Sequence, residues 1–317
     1  MSNTGFVTAF APASIGNLGV GFDMLGLAIA GAGDRVLARK IDSGTVAIRE
    51  VREINGEIHP HLSSNADENT ASIAANSLWK EAGDGSGVEL ILHKGVPLQS
   101  GMGSSGASAV AAAVAVNALL DDPHPMEDLL VHALAGEKFA SGGLHADNVA
   151  PSLIGGLVLC PQVLLPKMIA LPIPAEISSV LLHPELQINT ADSRSRLADS
   201  YSMDQWLAQQ GYLAGFIAAC AQNDIGLLAE CLRDETIEPQ RAESVPCFPA
   251  IKEAAMKSGA LGCSLSGSGP SIFALCPESE AANLAIEMEQ ACRKMGYECQ
   301  SWISPLDVPG ARIENQA

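Results

Sequence analysis

Apolar and polar positions alternate over residues 88–93 (V-E-L-I-L-H), which predicts a strand. The pattern then breaks: residues 97–108, P-L-Q-S-G-M-G-S-S-G-A-S, set three glycines among four serines. From there to residue 120 small apolar residues run without a breaker, predicting a buried helix. Upstream, residues 6–12 read as a strand ending in the A-P-A-S turn. Residues 36–41 and 45–51 read as a hairpin around Asp42-Ser43-Gly44. Residues 62–70 are a polar loop in which Asp67 or Asn69 caps a helix running to about residue 82. A further helix covers about 126–140, and S-G-G-L-H-A-D-N-V-A-P follows at 141–151.

In the second half, strands at 157–160 and 179–183 flank the proline-studded stretch 161–174, and helices follow at 191–197, 205–222 and 225–231. The tail reads helix 249–258, strand 261–265, an S-G-S-G-P turn, strand 272–276, helix 279–295 and strand 298–303. Two hairpinned strands with flanking helices and a closing strand predict an α+β sandwich of ferredoxin-like type. The prolines put the domain boundary near residue 165, dividing the chain into 1–165 and 166–317.

Composition narrows the function. A chain of 317 residues suits two domains, and 47% apolar residues suffice for a sizeable core. The formal net charge of −18 argues against nucleic acid or an anionic membrane as partner, since both select basic surfaces. The N-terminus has no basic region followed by an apolar core, so it is not read as a signal peptide. The Ala-rich helix is shorter than a bilayer requires and carries Asn117. All eight cysteines lie between Cys160 and Cys299 with no C-x-x-C pair, which fits a reducing cytoplasm and core packing.

Strand, Gly/Ser loop and helix in that order put backbone N–H groups and a helix N-terminus where they hold an anion, usually a phosphate. Glycines let the backbone approach a nucleotide triphosphate, and Ser104 or Ser105 offers a hydroxyl. No Lys-Ser/Thr follows the last glycine, so this is not a Walker A loop; the protein-kinase elements are also missing. A Gly-rich turn that merely starts a tightly packed helix would have the same composition.

Three motifs together decide the matter: P-x-x-x-G-M-G-S-S-G-A, A-P-A-S-I-G-N-L-G-V-G-F-D near the start and L-S-G-S-G-P-S-I-F-A-L near the end. They resemble the signature set of the small-molecule kinase superfamily that contains galactokinase, homoserine kinase, mevalonate kinase and phosphomevalonate kinase. N-L-G-V-G-F-D-M-L-G, H-A-D-N-V-A-P, T-A-D-S-R and I-E-P-Q-R are similar to its homoserine kinases in particular. The resemblance implies a two-domain α+β fold: a ribosomal-protein-like N-terminal domain with a left-handed βαβ unit, then a ferredoxin-like C-terminal sandwich. It implies magnesium-assisted transfer of the ATP γ-phosphate to the side-chain hydroxyl of L-homoserine, in threonine synthesis, by a cytoplasmic homodimer.

The family's functional residues carry over by position. ATP falls to Pro97, Leu98, Gln99, Ser100, Gly101, Met102, Gly103, Ser104, Ser105, Gly106 and Ala107, with Lys94, Asn65 and Asn69 nearby. Magnesium falls to Ser105 and Glu137, as hard oxygen ligands. A zwitterionic substrate asks for a carboxylate and arginines; Asp23 with Asn17 matches the amine side, Arg194 and Arg241 the carboxylate side. His145, Asp147 and Asn148 match the segment beside the reacting hydroxyl, with His145 orienting substrate or capping a loop. Lys94 reaches a phosphate or the adenine edge, or is a solvated strand end. A sister kinase acting on mevalonate, a sugar or shikimate, or a ligand-binding regulator without turnover, remain the alternatives.

Overall fold

The computed structural model describes residues 5–314, the side chains of residues 141 and 191 excepted; the reading of the N-terminus falls in part on residues 1–4, outside that range. The first half comprises β1 (Val7–Gly16), β2 (Leu25–Ile41), β3 (Val46–Glu53), α1 (Thr70–Ala82), β4 (Gly87–Lys94), α2 (Ser104–Asn117), α3 (Leu130–Ser141), α4 (Ala146–Ile154), β5 (Leu157–Leu159) and β6 (Ile169–Ala170). The second comprises β7 (Ile177–Pro184), α5 (Thr190–Ser195), α6 (Met203–Gln222), α7 (Ile225–Cys231), α8 (Glu238–Ala242), α9 (Phe248–Lys257), β8 (Gly262–Leu265), β9 (Ile272–Pro277), α10 (Ala281–Lys294), β10 (Cys299–Pro305) and β11 (Arg312–Glu314).

The first sheet runs β11-β1-β2-β4-β3, with β5 pairing β2 and β6 pairing β5. The expected hairpin at residues 42–44 is corrected here. The turn exists, but β4 lies between the two strands, antiparallel to β2 and parallel to β3. The unit β3–α1–β4 is therefore a βαβ crossover. Asn69 caps α1 by accepting from the Ala71 amide at 3.0 Å. β1 does not stop at the A-P-A-S turn: it continues to Gly16 through a register shift between Pro12 and Ser14, where a proline is tolerated.

α2 is buried from Gly106 to Asn117, which is why its residues are small and apolar all round. Its one interior amide, Asn117, is satisfied twice by the His124 backbone, each bond 2.9 Å. No helix of the described residues is long and apolar enough to cross a membrane.

The second sheet runs β10-β7-β9-β8, all antiparallel, with the strand order of a ferredoxin-like sandwich. Its strands β7, β8 and β9 are buried on both faces, while the edge strand β10 is part-exposed. Val180, Leu182, Ile272 and Ala274 pack with Phe248, Ile251 and Leu284 under α9 and α10. Leu181, Phe273 and Leu275 point the other way, into a cluster with Leu18, Val20, Met102 and Phe216. That second cluster joins the sheets, and the three sequence motifs lie along it.

Candidate active site

The loop between β4 and α2 is shaped by its glycines. Gly101 has φ +77° and Gly103, the N-cap of α2, φ +67°; no side chain caps the helix. The first N–H groups of α2 thus face a cavity of about 360 Å³. Gly101 also lies flat against the S-G-S-G-P turn. Ser266 donates to its carbonyl at 2.6 Å, and a Cβ there would overlap the Ser266 carbonyl and come 2.7 Å from that of Gly269.

The same turn ties all three motifs together through the backbone. Gly267 N–H donates to Gly16 at 3.0 Å, and Ser271 N–H to Ser100 at 3.1 Å. Ser14 N–H donates to Met102 at 3.1 Å. The Gly267 carbonyl then accepts from Asn17 Nδ2 at 3.1 Å and Arg241 Nη1 at 2.7 Å. Residues more than two hundred positions apart are held in one wall.

Lys94 has a different job from either reading made of it. It is 4% exposed, and its ammonium donates to Asp34, to the Ser104 carbonyl at 2.9 Å and to Ser108 Oγ at 2.8 Å. A lysine has three N–H donors, so none remains for a phosphate. Asp34 is fully buried; it also accepts from Ser108 Oγ at 2.6 Å and from the amides of Gly95 and Val96. This buried pair fixes the end of β4 to the start of α2.

Opposite the loop, Ser105 Oγ donates to Glu137 Oε2 at 2.6 Å, the two contributed by α2 and α3. Glu137 is 4% exposed, and its other oxygen lies 3.7 Å from His145 Nδ1. His145 is the N-cap of α4, which the sequence pattern missed because Pro151 sits inside it. Glu137 foremost, with Asp147 and Asp23, raises the His145 pKa against the cost of burial. Arg194 Nη1 stands 3.0 Å from His145 Nε2; a guanidinium only donates, so Nε2 accepts there and the proton of the neutral ring belongs on Nδ1, facing Glu137.

The first turn of α4 also delivers Asp147 and Asn148. Asn148 accepts from Ser14 Oγ at 3.2 Å. Asp147 is 2% exposed and accepts from the Asn17 amide at 3.0 Å through Oδ2, while Oδ1 has no hydrogen-bond partner. Burial, with the charge of Asp23 next, pushes its pKa up to about 6.

Asp23 and Arg194 form a two-bond ion pair, with side chains 30% and 42% exposed. That pair raises the Arg194 pKa. Arg241 is 5% exposed; burial lowers its pKa, and its Nε has no partner.

The cavity brings together Asn17, Asp23, Glu137, His145, Asp147 and Asn148, with both arginines and the loop positions Leu98, Gln99, Ser100, Gly101, Gly103, Ser104 and Ser105. Pro97, Met102, Gly106 and Ala107 are not part of that lining; Met102 and Ala107 are fully buried. Asn69 lines the cavity, but its side chain is occupied as the α1 cap and by the Ser63 carbonyl. Asn65 does not reach it: the residue is exposed and caps a single turn by accepting from Asp67 N–H at 3.2 Å. Glu68, Ser108 and Thr190 also line the cavity; Thr190 opens the T-A-D-S-R stretch and Ser108 closes the Gly/Ser loop, whereas no local pattern marks Glu68.

The sequence matches the family description "GHMP kinases N terminal domain" over residues 69–156 and "GHMP kinases C terminal" over 216–294. A homoserine kinase of Xanthomonas campestris pv. campestris is 42% identical over 306 residues, covering 96% of this chain and 93% of that protein. One of Chlorobium phaeobacteroides is 38% identical over 97% of this chain and 99% of its own. A crystal structure of homoserine kinase from Cytophaga hutchinsonii superimposes with a TM-score of 0.92 at 37% identity, covering 99% of both chains.

Proposed function

The chain belongs to the homoserine kinases of the GHMP kinase family, and from that premise we propose that it transfers the γ-phosphoryl group of ATP to the side-chain hydroxyl of L-homoserine. One observation carries the acceptor assignment. Two residues of the cavity wall, Asp147 and Arg241, each keep a buried polar atom without a partner, the carboxylate Oδ1 and the guanidinium Nε. A buried polar atom left unpaired costs about 1–3 kcal/mol, so the pair suits a ligand carrying an ammonium and a carboxylate. Asp23 and Arg194, paired and part-exposed, can exchange partners with the same zwitterion.

The uncapped start of α2 and the loop amides suit the ATP phosphates. Ser105 and Glu137 suit magnesium: two hard oxygens in contact, with no group of three or more His, Cys, Asp or Glu positioned for a metal among the described residues. Bound there, magnesium would neutralise phosphate charge. Asn148 and His145 flank the acceptor and orient its hydroxyl. That oxygen bonds to the γ-phosphorus as the bond to the bridging oxygen of ADP breaks, and the hydroxyl proton passes to a phosphoryl oxygen. The division into an ATP-binding half, 1–165, and a ferredoxin-like half, 166–317, is part of this reading, supported by the second sheet lying wholly within 166–317, although β6 and β11 from that half join the first sheet. So are threonine synthesis, a homodimer and a cytoplasmic setting, the last supported by eight unpaired cysteines.

ADP release with magnesium and ATP across a panel of hydroxylated metabolites tests the proposal, with homoserine expected as substrate. Turnover of mevalonate or a sugar in its place overturns it; ATP binding with no turnover at all would mark a ligand-binding regulator. A pH profile tests the acidic side. Only ionised Asp147 receives an ammonium, so kcat/KM for homoserine should be flat above pH about 6 and fall about tenfold per unit below it. Asp147→Asn should remove that limb. The stability effect has the opposite sign: the native carboxyl keeps a proton that the unfolded chain releases near 3.8, so stability falls between 3.8 and about 6.

A further inference from the structure

Phe22 stands in the loop after β1, between the buried Leu18, Val20 and Leu25, yet its own ring is only half-buried. The loop is held in an unusual shape. Asn17, Leu18 and Asp23 all have positive φ, at 65°, 42° and 55°. Asn17 supports it by accepting from the amides of Asp23, through its side chain at 3.0 Å, and Gly21, through its carbonyl at 2.9 Å. That shape presents the Phe22 ring to the cavity's two arginines. The Arg194 guanidinium carbon lies 5.3 Å from the ring centroid and that of Arg241 5.1 Å, both within cation–π range.

The two arginines come from separate helices, α5 and α8, and repel each other; the charge of Arg194 helps lower the pKa of Arg241. Their polar anchors differ: Asp23 and His145 hold Arg194, and the Gly267 carbonyl holds Arg241. Among the described residues, no other aromatic ring lies within cation–π range of both guanidiniums. Resting on the proposed acceptor, we propose that Phe22 is a positioning residue: its π face sets the two guanidiniums in fixed register, so that one substrate carboxylate meets both.

Steady-state kinetics on Phe22 variants test this. Phe22→Leu, which keeps bulk and loses the ring, should raise the homoserine KM about tenfold and leave kcat and the ATP KM within about twofold. Phe22→Tyr should restore the KM. Pentafluorophenylalanine at position 22 keeps the shape but withdraws the negative face, and should behave like leucine; being nearly isosteric, it stays informative should Phe22→Leu fold poorly. A homoserine KM unchanged in the leucine or the pentafluoro variant overturns the inference, because packing alone would then suffice. The two readings fail separately. Absence of homoserine turnover in the unmodified enzyme strikes the function, whereas normal turnover with a flat variant series strikes only the role of Phe22.

Discussion

Glu137→Ala should lower kcat by about 10²–10³-fold, the scale on which a single preorganised electrostatic partner acts in a transition state. The residue sits on α3 with one carboxylate oxygen on Ser105 and the other towards His145, so its loss removes the fixed negative charge best placed for a cation between protein and phosphates. It also removes the foremost group raising the His145 pKa. The homoserine KM should move far less, because the substrate carboxylate and ammonium are met elsewhere. Glu137→Gln keeps the shape and should lose nearly as much, with a melting temperature close to that of the unmodified protein. Near-normal turnover of Glu137→Ala at low magnesium would refute the metal assignment outright.

The largest stability effect should come from Asp34. Asp34→Ala leaves the Lys94 ammonium buried without its counter-charge, an arrangement that costs about 3–5 kcal/mol. For a fold of this size that corresponds to a fall of about 10 °C in melting temperature. Lys94→Met alone should cost a similar amount, by stranding the carboxylate. The double variant Asp34→Leu, Lys94→Met should recover only part of the loss: it removes the stranded charge but leaves the Gly95 and Val96 amides and the Ser104 carbonyl without those partners. Thermal melts of the four proteins check this. Lys94→Met with unchanged stability but a sharply raised ATP KM would return that lysine to the nucleotide.

The predicted elements that proved right were those whose signal is local. Val88 to His93 alternates, the Gly/Ser loop breaks, and α2 is uniformly apolar because every side is packed. The second sheet was legible for the same reason: β8 and β9 are joined by a short turn, and each helix is amphipathic. Partnerships formed at a distance were not. Nothing in residues 36–51 announces that β4 will enter between β2 and β3. The first half of β2, L-G-L-A-I-A-G-A-G, is so small and Gly-rich that it has no alternation to read. Gly26 there must stay bare because the Asp147 carbonyl packs against it.

The site followed the same rule. Asp23, Arg194 and Arg241 stand out singly as charged residues beside turns, but that Asp23 and Arg194 hold each other is a tertiary fact. Asp34, in A-G-A-G-D-R-V, carries no mark of its buried role at all.

β11 pairs with β1, matching Thr8 with Glu314, and Arg35 donates twice to the Glu314 carboxylate. Among the described residues, then, one edge of the first sheet is supplied by a strand that lies far downstream of β1, beyond the whole of the second sheet. While the chain is being made, β1 exposes a bare row of N–H and C=O groups, a template for pairing with other nascent chains. Domains usually fold in the order they are synthesised. In this protein the half made first is completed only after β11 has been made, so a partly translated chain exposes an edge that the folded chain covers.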